Sequence, residues 1–356
     1  MWPNNRILEL FGIQLPIIQA PMAGSVFSEM VVAVSEAGGL GSLPCALLSL
    51  EQMRSELEAI RRQTSRPIHV NFFCHTPPRV DANRERLWRQ RLQRYYVELG
   101  LDQNMPVPSA NRAPFDDKKC DLVVEFHPEV VSFHFGLPEE KLVQRVRNTG
   151  AKIVSSATSV DEARWLEDRG CDAIVAQGYE AGGHRGIFLV EDVSTQAGTM
   201  ALVPQVVDAV IVPVIAAGGI ADARGVVAAF ALGAAAVQIG TAYLLCPEAK
   251  VSPWYREALK NTTDTQTTLT NIFTGRPARG IINRAVKELG PISENVPDFP
   301  LAATAWGPLR SKAEAAGSSD FTPLWSGQAA RLARELPAAE LTKRLATETL
   351  DKLRSL

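Results

Sequence analysis

Short apolar runs, each closed by Gly, Pro or a polar residue, alternate along this chain with stretches whose apolar residues fall at helical spacing. The runs at Pro16–Met22 (PIIQAPM), Gly39–Pro44, Ile68–Phe73 (IHVNFF), Val130–Phe135 (VVSFHF), Lys152–Ala157, Ala173–Gln177, Pro213–Ala217 and Ala236–Ile239 predict eight strands. Helices are expected between them over Ser28–Ala37, Leu50–Gln63, Asp116–Phe126, Glu139–Asn148, Asp161–Arg169, Ala201–Val210 and Ala223–Leu232. At Gly150, Gly170 and Gly233 a glycine ends one helix and a strand follows at once, as suits the left-handed turn that closes a helix. Short, non-alternating strands joined by helical crossovers belong to a sheet covered on both faces. Eight such units predict an α/β fold, a closed (β/α)8 TIM barrel, over its alternative, an open doubly wound sheet.

Two stretches break the alternation. Thr76–Pro114, with the Arg- and aromatic-rich segment Asp81–Leu99 and a loop over Pro106–Pro114, forms an excursion within the third crossover. After the eighth strand, Tyr243–Asp320 mixes a short helical segment (Trp254–Lys260), a Thr-rich run and Pro- and Gly-rich loops. The expected division is a barrel of residues 1–242 and 321–356, with 243–320 an inserted cap over the substrate site. The delayed eighth helix is expected over Trp325–Leu336, stopped by Pro337.

Composition works mainly by exclusion. The 356 residues exceed the roughly 250 of a bare barrel, which leaves room for the cap. A net charge of −2 gives no electrostatic case for nucleic acid or an anionic membrane as partner. Five scattered cysteines without a CxxC pair fit a reducing compartment and argue against structural zinc. The N-terminus lacks a signal-peptide pattern, and the most apolar region, Val206–Gly240, is interrupted by Asp208, Pro213, Asp222 and Arg224. A cytoplasmic protein is expected, and its oligomeric state is left open.

Barrel chemistry stands at the C-terminal ends of the strands. No lysine ends a strand there, which disfavours Schiff-base chemistry. Only one acid, Glu180, stands there, so a paired-carboxylate mechanism lacks its second member. Two histidines without carboxylates make a poor metal site, and no metal is expected. What remains is neutral amides, glycines and histidine, a set suited to holding a preformed electron carrier. The loops after strands seven and eight, Ala217–Asp222 with Gly218 and Gly219, and Gln238–Thr241 with Gly240, occupy the barrel's usual phosphate position. The helix after Asp222 would add its positive end. FMN fits better than a dinucleotide, because no GxGxxG is followed by a distal acid.

The densest chemistry lies in Gln177–Gly186 (QGYEAGGHRG), a glycine-rich loop behind the sixth strand. There His184 is expected to face the substrate, its reference pKa of about 6.5 suiting a base near neutrality. His134, at the end of the fourth strand, is the second catalytic candidate if it is a pocket residue, the alternative being a packed core histidine. His69 is expected to be structural, Cys74 a packed thiol, and Glu180 either paired with Arg185 or His184 or solvated.

The chain resembles the nitronate monooxygenases, class I, formerly called 2-nitropropane dioxygenases. The resemblance is carried by Gln19–Met22 (QAPM), Asn71–His75 (NFFCH), Val131–Pro138 (VSFHFGLP), Gln177–Gly186, Ala216–Ile220 (AAGGI), Gln238–Thr241 (QIGT) and Trp325–Gln328 (WSGQ). It implies an FMN-dependent barrel that oxidises alkyl nitronates, such as propionate 3-nitronate, with O2 to a carbonyl compound and nitrite. It further implies that Met22, Asn71, Gln177, Gly182, Gly183, Gly218, Gly219, Gln238, Gly240 and Thr241 hold FMN and that His184 is catalytic. The alternative is a flavin-dependent NAD(P)H:quinone or enoyl-thioester reductase on the same barrel.

Overall fold

Along Ile68–Phe73 the side chains alternate between two environments. Ile68, Val70 and Phe72 enter the core shared with the helices, while His69 and Asn71 bond to Ser132 of the neighbouring strand. In the computed structural model, which describes residues 1–106 and 112–355, eight parallel strands form one sheet. They are Ile17–Gln19, Gly41–Pro44, Ile68–Phe73, Val130–His134, Lys152–Ala157, Ala173–Gln177, Val214–Ala217 and Ala236–Ile239, each inside its expected run. Each neighbours the next in sequence, the eighth pairs with the first, and a bridge from Ile18 to Leu40 joins the remaining edges. The chain is a (β/α)8 barrel.

Helix residues such as Met30, Val34, Leu57, Leu142, Leu202 and Val226 cover the outside of the strands in one core. A second cluster fills the barrel's interior and is plugged by Ile7 and Phe11 of a helix at Arg6–Phe11. That helix spans six residues, too few for a periodic signal, and it was not anticipated.

The eighth helix lies elsewhere than expected. Trp325–Leu336 holds only a short 3-10 turn at Ala330–Leu332, and the helix runs over Ala338–Ser355. Pro337 therefore precedes the helix instead of stopping one, as proline's fixed φ and missing N–H allow at a helix start. The helix packs on Ala223–Ala231 and Ser28–Glu36, the place of a barrel's last helix.

The segment after the eighth strand shares its core with the third-crossover excursion. Helix Ala82–Glu98 contributes Trp88, Leu92, Tyr95 and Tyr96 to a cluster with Phe273, Val286, Trp306, Leu309 and Phe321. Two strands of this segment, Thr267–Thr270 and Ala278–Ile281, form an antiparallel pair whose second member also pairs with Gly183–His184. The loop expected over Pro106–Pro114 lies partly outside the described residues.

Candidate active site

Where the strands end, one cavity of about 450 Å³ opens, lined also by residues of the segment after the eighth strand. Met22, Asn71, His134, Gln177, Gly182, Gly183, His184, Gly218, Gly219, Gln238, Gly240 and Thr241 all line it. Residues taken from strand ends far apart in sequence thus meet around one space.

The glycine turn after the seventh strand is built for backbone exposure. Gly218 and Gly219 have φ of 110° and 69°, which side-chain-bearing residues rarely adopt. The N–H groups of Gly219 and Ile220 have no hydrogen-bond partner among the described residues. They are donors suited to a phosphate oxygen. The following helix adds less than expected, because its N-cap Asp222 already accepts from the Arg224 N–H at 2.9 Å. Of the three amides, Gln238 makes no side-chain hydrogen bond among the described residues, and Asn71 donates to Ser132 Oγ at 2.7 Å, leaving its oxygen free. Gln177 is more committed. Its Nε2 donates to the His184 carbonyl at 3.0 Å and its Oε1 accepts from the Gly186 N–H at 2.8 Å, so this amide stitches its own loop. With free backbone donors, uncommitted amide groups and no acid among the lining residues of these turns, the residues fit a phosphorylated heterocycle.

Gly182 serves close packing. A Cβ there would stand 2.5 Å from the Gly327 nitrogen and 2.6 Å from the Ser326 carbonyl carbon. The Gly182–Gly183 turn and the Trp325–Gln328 motif are therefore pressed backbone to backbone, and the Gly327 N–H donates to Thr241 Oγ1 at 3.0 Å.

His184 and His134 are joined through the backbone. His134 Nε2 lies 3.1 Å from the His184 carbonyl, which can only accept, so that nitrogen carries the proton. Its Nδ1 then accepts from Ser156 Oγ at 3.1 Å. Both ring nitrogens of His134 are thereby engaged, and burial pulls its pKa down to about 4. It supports the loop that carries His184. The His184 ring stands among Phe73, Phe135, Phe299 and Trp325, with ring centroids 5.4–6.1 Å away. Its pKa is held well below the ordinary value, by burial first and then by the charge of Arg112.

Several residues here carried no legible signal in the sequence. Phe299, Thr274 and Arg310 come from the segment after the eighth strand, where no periodicity placed them, and Tyr255 comes from its short helical segment. Arg112 lines the cavity without an ion-pair partner among the described residues, and burial lowers its pKa to about 10. Phe135 packs under the Arg276 guanidinium at 4.0 Å with a φ of 72°, a strained conformation for an aromatic residue.

Other expectations resolve in detail. Glu180 pairs with neither Arg185 nor His184; its carboxylate accepts from the Thr199 N–H and hydroxyl at 2.8 and 2.9 Å, capping the next helix. Arg185 is fully buried and donates to the carbonyls of Gln177 and Gly178, both at 2.8 Å. His69 is structural, held between Ser42 Oγ at 2.6 Å and Ser132 Oγ at 2.5 Å. Burial raises the Cys74 pKa well above its usual value, so it is a packed thiol. Among the described residues no cluster could hold a metal, and no helix is long and apolar enough to cross a membrane.

Known proteins resemble this chain in sequence and fold. A sequence model described as nitronate monooxygenase matches residues 4–348. A nitronate monooxygenase of Pseudomonas aeruginosa is 42% identical over 347 residues, covering 97% of this chain and 99% of that protein. The solved nitroalkane oxidase of Streptomyces ansochromogenes superposes with a TM-score of 0.89 at 36% identity, covering 98% of this chain and 99% of its own. FabK of Thermotoga maritima superposes with a TM-score of 0.74 at 27% identity, over 98% and 97% of the two chains.

Proposed function

The chain belongs to the nitronate monooxygenase family, a family of oxidoreductases, and from that premise we propose that it binds FMN and oxidises small alkyl nitronates with O2. The products are a carbonyl compound and nitrite; propionate 3-nitronate is a representative substrate. The observation that carries this is the placement of His184 in the same cavity as the free backbone donors of the Gly218–Gly219 turn. FMN, when bound, supplies the redox chemistry that couples nitronate to oxygen.

The chain's own residues supply the rest. The Gly219 and Ile220 N–H groups, with the Gln238–Thr241 turn, hold the phosphate, and Asn71 and Gln238 offer amide groups to the ring. Arg112 and Arg276, neither ion-paired among the described residues, make the region beside His184 positive and so favour an anion. The aromatic residues around His184 exclude water from the reacting carbon. His184 orients a nitronate, or takes the α-proton of a neutral nitroalkane.

The test is the visible spectrum of purified protein before and after a nitronate is added in air, with nitrite assayed. A flavin spectrum and stoichiometric nitrite are expected; a colourless protein that takes up no FMN overturns the proposal. The second reading is a flavin-dependent NAD(P)H reductase acting on a quinone or enoyl thioester on the same barrel. Rapid bleaching of the flavin by NAD(P)H without oxygen would select it.

A further inference from the structure

His184 is fixed from both ends. Its carbonyl accepts from His134 and Gln177, and its ring Nε2 lies 2.9 Å from Thr274 Oγ1. Thr274 is 3% exposed and stands in the turn between Thr267–Thr270 and Ala278–Ile281, the latter of which pairs with His184 itself. The same hydroxyl lies 3.3 Å from the Arg276 carbonyl, which can only accept. A threonine hydroxyl carries one hydrogen, so both contacts are hydrogen bonds in a single arrangement. Nε2–H donates to Oγ1, and the hydroxyl donates to the carbonyl. The proton then sits on Nε2. Nδ1 has no hydrogen-bond partner among the described residues, and the residue lines the cavity.

We propose that Thr274 is a positioning residue that fixes His184 in the Nε2–H tautomer and so makes Nδ1 the proton acceptor for neutral nitroalkanes. This rests on the nitronate-oxidising function proposed above. The α C–H bond breaks, its proton bonds to Nδ1, and the electron pair moves into the C=N bond while negative charge passes to the nitro oxygens. The product is the nitronate that the same cavity oxidises, and the step itself needs no oxidant. The Arg276 carbonyl, reached through the hydroxyl, faces the positive charge that builds on the ring. This neutral partner takes the place an aspartate holds in a Ser-His-Asp triad. Burial and the charges of Arg112 and Arg276 oppose protonation of the ring, which keeps the acceptor vacant at neutral pH.

Thr274→Val removes the hydroxyl at nearly constant volume, and Thr274→Ser restores it. In the valine variant, kcat/KM for nitroethane should fall at least tenfold more than kcat/KM for ethylnitronate, and serine should recover most of the difference. Nitrogen-15 spectra of ring-labelled histidine should show His184 as the Nε2–H tautomer in wild type and a mixture in the valine variant, with equal flavin content by absorbance. Equal losses on the two substrates overturn the proposal, as does an Nδ1–H tautomer in wild type or a wild type that oxidises the nitronate but leaves nitroethane untouched. A wild type inactive on both substrates removes the oxidising function instead, and the tautomer then decides the place of Thr274 separately.

Discussion

At position 184 a single imidazole is held by backbone, threonine and aromatic contacts at once, so changing it should separate binding from chemistry. His184→Asn is expected to retain flavin and to lose roughly 10²–10⁴-fold in turnover of neutral nitroalkanes. Unchanged turnover would remove its role. Gly182 tests the neighbouring contact, where an added Cβ meets backbone at 2.5 Å and no flexible side chain can yield. Gly182→Ala should cost about 1–3 kcal/mol, read as a lower Tm and weaker flavin retention; an unaltered Tm would mean that Ser326–Gly327 moves aside freely. The glycines, amides and His184 were legible because they cluster in short motifs behind apolar runs. Arg112, Phe299 and Thr274 were not, because nothing local to a lone Arg, Phe or Thr says that the chain will bring it to the barrel mouth.

Among the elements, the strands and most helices could be read because each strand–helix unit is settled within a few dozen residues. The exceptions are instructive. Trp325–Leu336 carries enough leucine and alanine for a helical pattern, yet Trp325 bridges to Gly280 and Gly327 is pressed against Gly182. Tertiary contacts override propensity there, and the helix starts only after Pro337. The helices of the second hydrophobic cluster depend on each other in the same way. Trp306 of helix Ala302–Ala315 stacks on Trp88 of Ala82–Glu98 at 6.3 Å, and its Nε1 donates to the Phe321 carbonyl at 2.7 Å. Trp306→Ala should cost about 3–5 kcal/mol and strip hydrogen-exchange protection from both helices while the barrel strands stay protected. Uniform loss of protection in the strands and in these two helices alike would show that the two cores unfold as one.

For the whole molecule, buried neutral histidines set a pH window. Burial pulls His69 down to about 3 and His75 to about 4, against about 6.5 in an unfolded chain. Above pH 6.5 both states are neutral and these groups do not bear on stability. Below it the unfolded chain takes up protons that the folded protein refuses, so each histidine costs roughly 1.4 kcal/mol per pH unit until the folded values are reached. The Tm should therefore decline as pH drops from 6.5 toward 4, and calorimetric unfolding at pH 5 should consume protons. Unfolding there without proton uptake contradicts the assignment. The cluster shared by Ala82–Glu98 and the segment after the eighth strand has a further consequence during synthesis. Tyr96 bonds to the carbonyl of Ala305, 209 residues downstream. A ribosome adding about 5–20 residues each second needs about ten to forty seconds to cover that distance. Throughout that wait the nascent helix carries Trp88, Leu92, Tyr95 and Tyr96 with their partners of residues 272–321 not yet made, so holdase capture and aggregation in the cell should centre on residues 82–98.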